Sequence, residues 1–175
     1  MPRIDEWSDR LRRSLSGNYS RDDIEGFVRD LVTDCEGFIE RDENLRIPSF
    51  GLSLCDDDQF QQLLRLLPRI YAYEPIAITV GRGSDRLIAI NIGKLLLLMQ
   101  NENPHQTFVL NLALAAIEEL VHAARPDLSE TQVNDIVNGL GERYLGVTIP
   151  REVRERLARI VAENEAASNE RRNQS

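Results

Sequence analysis

Glu118-Glu119-Leu120-Val121-His122 places two carboxylates and one of the chain's two histidines within five residues. At about 100° per residue, an α-helix holds Glu118, Glu119 and His122 within an arc of about 100°, with Glu118 and His122 one turn apart. Two donors at i and i+4 can point to one metal ion. The same arc holds Thr107, Asn111 and Arg125, while Phe108, Leu110, Leu112, Ala113, Ala116, Ile117 and Leu120 lie opposite. An ordinary amphipathic helix has this pattern too. In that alternative Glu118 pairs with His122 and Arg125 along a solvated stripe, each contact contributing about tenths of a kcal/mol with no metal required. His105 sits about 25 Å away at the helical rise, as a first-turn surface residue, and cannot supply a neighbouring ligand.

The elements that must position these residues can be followed along the chain. Ile4, Trp7, Leu11 and Leu15 have helical spacing, ended by Gly17-Asn18. Ser20 caps a second helix with Asp22 and Asp23 in its first turn, and Ile24, Phe27, Val28, Leu31, Cys35, Phe38 and Ile39 form its apolar face to about Glu40. Residues 42–53, with Pro48 and Gly51, read as a loop. Asp56-Asp57-Asp58 caps a helix to about Tyr71; three consecutive aspartates lack the spacing of a calcium loop. Ile76 to Val80 and Leu87 to Ile92 are β-branched runs flanking Gly81-Arg82-Gly83-Ser84-Asp85-Arg86, which predicts a hairpin. The glycines are turn residues, since no helix opens after them to hold a phosphate.

A short helix over 94–100 precedes the long helix that Pro104 starts and Pro126 breaks. Ser129 caps the next helix, with Glu130 in its first turn and Val133, Ile136, Val137 and Leu140 on its core face; Gly139, Gly141 and Gly146 loosen its end. A last helix from Pro150 is predicted to bury Val153, Leu157, Ile160 and Val161. The fold expected is α+β: mostly helical, with a small antiparallel hairpin or sheet around a central buried motif helix. One domain spans 1–162, with N-terminal helices over 1–70, a hairpin and motif-helix core over 71–141 and a C-terminal helix over 150–162. The polar tail 163–175 frays.

This order resembles that of the smallest zincin-type metallopeptidases. In that family a strand pair precedes a helix bearing H-E-[LI]-[VI]-H, and a proline turn and an acidic helix follow. The chain matches over about residues 70 to 140, with Pro126 as the breaker and Ser129-Glu130-Thr131-Gln132-Val133 opening the acidic helix. The resemblance implies Glu119 as general base, His122 as a metal ligand and Glu130 as a third ligand. Glu118 departs from it, standing where the family has its first histidine.

A Glu118, His122, Glu130 donor set would still accept zinc, but discriminates less against manganese or iron than two imidazoles do. The added carboxylate also weakens the pull of the metal on bound water. The metzincin extension is absent, because Arg125 and Leu128 replace its glycine and histidine. Glu119-x-x-His122 is also only one half of a di-iron pair. Tyr144 is placed either to donate to an oxyanion or to pack. The second strand is expected beside the cleft, where it could pair an extended substrate.

Composition narrows the classes. With 175 residues, 42% hydrophobic and 29% charged, the chain can bury a core without disulfides. Cys35 and Cys55 lack metal-knuckle spacing and read as core residues. A net charge of −8 argues against a nucleic-acid surface. The longest apolar run, Phe108 to Ile117, contains Asn111, so no uninterrupted membrane span is written, and the N-terminus lacks a signal-peptide core. A cytoplasmic protein is the default. Lys94 is the only lysine among 21 basic residues, which suits a salt-rich cytoplasm or follows from codon bias.

Three functional readings stand. The first is a zincin-like homologue with a degenerate site, inactive or weakened, binding a peptide or protein partner along the hairpin edge or cleft. The second is an active, divergent metal-dependent peptidase. The third is a helical adaptor unrelated to peptidases.

Overall fold

The computed structural model describes residues 4–17, 20–67, 74–81, 85–100 and 102–147, together with 150, 152, 153, 155, 156, 158–160, 162, 163 and 166. In chain order these form α1 (Ile4–Ser14), α2 (Arg21–Asp42), β1 (Gly51–Cys55), α3 (Asp57–Arg65), β2 (Ala77–Val80), β3 (Leu87–Asn91), α4 (Ile92–Leu98), α5 (Pro104–Ala124) and α6 (Glu130–Leu140). A π-helical turn, Gly141–Leu145, continues α6. The expected class holds: a mostly helical α+β fold with a small sheet and a central motif helix.

Local chemistry accounts for most helix starts. Ser20 and Asp23 form a capping box at α2, Asp56 and Gln59 at α3, and Ser129 and Gln132 at α6. The aspartates before α3 therefore cap it, as expected. Asn91 ends β3 and its side chain accepts from the Lys94 amide, so α4 begins at Ile92, two residues before the predicted start. The predicted apolar face of α2 is buried throughout.

The sheet has strand order β1-β3-β2. β3 lies in the middle, antiparallel to β2, with Thr79 opposite Ile88, and parallel to β1, with Leu52 opposite Ile88. Alternation splits its side chains between two faces. Ala77, Ile88 and Ile90 join the main core with α1, α2, α5 and α6, while Cys55, Ile78 and Ala89 meet Phe60 of α3 in a smaller cluster. α5 crosses the main core. It is long and apolar enough by length and composition to cross a membrane, but 61% of its most apolar window is buried in the protein, which accounts for that apolarity.

Several expectations need correction. The predicted loop over 42–53 contains the start of a strand, because Gly51–Cys55 pairs in parallel with β3. That pairing makes the sheet mixed and puts a strand within the segment expected to be helical. Its stability comes from a partner more than thirty residues away in sequence, which a five-residue local pattern does not reveal. α3 stops at Arg65, with Leu66 as its C-cap, and the predicted extension over 68–71 lies outside the described residues. The hairpin is present, but turn residues 82–84 lie outside the description.

α6 does not simply loosen at its glycines. It runs into the π-helical turn, which Gly146 ends at φ 67°, a left-handed conformation that glycine adopts without strain. In the last predicted helix, the described residues within 152–166 are helical, yet Val153 is 45% exposed rather than buried. Leu157, Val161 and most of the tail 163–175 lie outside the described residues.

Candidate metal centre

α5 positions three of the four candidate residues, and it does so in the interior. Glu119 and His122 are 4% and 7% exposed, and Glu118 is half-buried. The solvated-stripe alternative does not hold at Glu119 and His122, which are covered, whereas Thr107, Asn111 and Glu118 are half-buried and Arg125 is exposed. β2 and α6 pack on this end of α5, which explains why burial encircles it from Glu119 to Ala123.

The link from α5 to α6 brings the fourth residue back. Arg125 caps α5 through its amide to the Val121 carbonyl, and the Leu128 amide then closes a turn onto the Arg125 carbonyl. The Arg125 guanidinium grips Asp127 with two hydrogen bonds of 2.9 Å. Those bonds hold the Asp127 carboxyl below its ordinary range. Arg125 is thus committed within the turn rather than to the stripe. Ser129 next caps α6, and Glu130 is the first residue of that helix, where the helix dipole favours a carboxylate.

The outcome is convergence. Glu118, His122 and Glu130 each offer a donor atom, and the three lie within 4.8 Å of one another. His122 Nε2 is 3.2 Å from Glu130 Oε2. Two ligands about 2.0 to 2.1 Å from a tetrahedral zinc lie about 3.3 Å apart, so this pair already has the required spacing. An isolated histidine–carboxylate contact would have the same length. The third donor, Glu118, makes the group a fit for a divalent cation, and one nitrogen with carboxylate oxygens is a mixed hard donor set. Among the described residues this is the one histidine, cysteine and carboxylate group with such geometry, and His105 is not part of it.

Glu119 is fastened to the sheet. Its Oε2 accepts a 2.5 Å hydrogen bond from the Thr79 hydroxyl on β2, tying the carboxylate to the sheet. On the same side, Arg86 at the start of β3 donates to the Ala123 carbonyl at 2.9 Å, pinning the hairpin to the end of α5. The strand beside the site is therefore β2, the first of the hairpin, whereas the second had been expected there. β3 is the central strand and has no open edge.

Tyr144 packs its ring against the core. Its ring lies 4.2 Å from that of Phe38, within the main core. Sequence reasoning did not single out Thr79 or Arg86. Thr79 did carry a faint signal, as the polar residue among the apolar positions of β2, in step with Ala77 on the face toward α5. Compared with family models, curated proteins and solved structures, the chain matches none. The assignment of the site rests on its own geometry.

Proposed function

We propose that this chain is a metal-binding protein of zincin-like design whose hydrolytic chemistry is weakened by a carboxylate in place of a histidine. The observation that carries this reading is the convergence of Glu118, His122 and Glu130, on two helices joined by a short turn, to within 4.8 Å. These three residues would hold the ion. A bound zinc supplies Lewis acidity, polarising a substrate carbonyl and lowering the pKa of water.

The remaining work falls to the protein's own groups. Glu119 is buried next to a ligand in sequence and fastened by Thr79, which suits a carboxylate that must hold or pass a proton in one place. β2, at the edge of the sheet among the described residues, can take an extended peptide by main-chain pairing. Two carboxylates in the ligand set reduce the positive charge felt by bound water, so catalysis is slower than with two imidazoles. They also open the site to manganese and iron. The placement of Glu119 favours a second reading, an active divergent metal-dependent peptidase with the same ligands.

Elemental analysis of protein purified without an affinity tag tests the centre, with His122→Ala and Glu118→His alongside. Stoichiometric metal in the parent, lost in His122→Ala, is the expected result. Zinc bound by Glu118→His but not by the parent would mark a scaffold that has lost its metal. Absence from both would remove the centre and leave a helical interaction protein. Peptide hydrolysis by the zinc-loaded parent, abolished in Glu119→Gln, separates the active reading from the weakened one.

A further inference from the structure

The edge of β2 and the Glu119 carboxylate meet at one residue. The Asn91 amide donates to the Ile76 carbonyl at 2.8 Å, and the register places Ile78 opposite Ala89 and Val80 opposite Leu87. In an antiparallel pair, hydrogen-bonded and non-hydrogen-bonded positions alternate. Ile76, Ile78 and Val80 therefore spend their main-chain groups on β3. Those of Ala77 and Thr79 point the other way, along the outer edge. The side chains of these same two residues face α5: Ala77 enters the main core, and Thr79 reaches Glu119.

Thr79 is well suited to hold a carboxylate still. Its branched Cβ restricts χ1, and the strand fixes its backbone, so the hydroxyl has little freedom. A glutamate has three side-chain torsions, and anchoring one oxygen removes much of that freedom. The 2.5 Å separation lies at the short end of the range for hydroxyl hydrogen bonds.

We propose that Thr79 is the positioning residue of this site. Its hydroxyl sets the Glu119 carboxylate, and its main chain presents the pairing groups of the strand edge, so an extended peptide on β2 is registered against Glu119 through one residue. This inference rests on the reading of Glu118, His122 and Glu130 as a metal centre.

The test uses the full chain with Thr79→Val, which keeps shape and loses the hydroxyl, and Thr79→Ser, which keeps the hydroxyl. Should Thr79→Val not fold, Thr79→Ala takes its place. Three readouts are needed: zinc content, crystal structures of the variants, and kcat and KM on a quenched-fluorescent peptide library. Zinc content should be unchanged, since Thr79 is not a ligand. Glu119 should leave its position in Thr79→Val and keep it in Thr79→Ser. In Thr79→Val, kcat should fall between about tenfold and about a hundredfold, the scale of a small misplacement of a catalytic group. Thr79→Ser should retain most of the rate, and adding Thr79→Val to Glu119→Gln should cost nothing more. Glu119 unmoved in Thr79→Val, or a lowered melting temperature with kcat intact, would overturn the proposal. If the parent holds no zinc, the metal reading fails, and the crystal structures still decide whether Thr79 sets Glu119.

Discussion

Zinc should raise the melting temperature of the parent chain by several degrees and barely move that of His122→Ala. Glu118 and Glu130 offer oxygen atoms within 4.8 Å of each other. Two carboxylate charges at that separation repel by between about 0.9 and about 3.5 kcal/mol as the effective dielectric constant goes from about 80 to about 20. The Glu130 side chain is 35% exposed, so the lower part of that range applies. The His122 imidazole lies 3.2 Å from Glu130 and, when protonated, offsets some of it without metal.

A divalent ion cancels the repulsion outright, and mass action sets the size of the shift. At free zinc a hundredfold above Kd, binding to the folded state alone contributes about 2.7 kcal/mol. For a chain of this length each kcal/mol corresponds to roughly 2–4 °C, which gives a rise of about 5–11 °C. His122→Ala leaves two facing carboxylates and no nitrogen donor, so the rise should shrink to below about 2 °C. Differential scanning calorimetry with and without zinc, on untagged protein, measures both, with calcium as a control for carboxylate-only binding. Equal rises in parent and variant would put the zinc elsewhere. No rise in the parent would refute a shared site.

Two further outcomes follow from the same framework. Ser129→Ala removes the side-chain cap of α6 and should cost about 1 kcal/mol in chemical denaturation. Because Glu130 is the next residue, zinc affinity should fall as well, and Ser129→Asp should restore both; unchanged affinity would show that the cap does not place Glu130. Cys35 is fully buried in α2, and burial pushes its thiol well above the ordinary range. Iodoacetamide should therefore label it only with denaturant present, as read by peptide mass mapping. Labelling under native conditions would show that α2 opens.

The parts of this fold legible in the sequence are those that short-range chemistry specifies. Caps at Ser20, Asp56 and Ser129, the start at Pro104 and the break at Pro126, and the apolar stripe of α2 depend on neighbours within a turn, so residue order is enough to place them. The hairpin was legible for the same reason, as two β-branched runs around a glycine turn. β1 was not, because a strand of five residues is stable only against its partner. The exposure of Val153 likewise depends on what packs against it, which the helical spacing does not contain.

The site divides along the same line. By itself the sequence determined that Glu118 and His122 share a helix face one turn apart. Their surroundings came from tertiary structure. Periodicity left open whether the polar arc of α5 met solvent; packing of β2 and α6 against it decided that, burying Glu119 and His122. The return of Glu130 to 3.2 Å from His122, and the bond from Thr79 to Glu119 across forty residues, were likewise decided by the packing of separate elements. Helical geometry acts over about four residues and is encoded in their order. Convergence of donors from distant segments depends on the whole core closing around them.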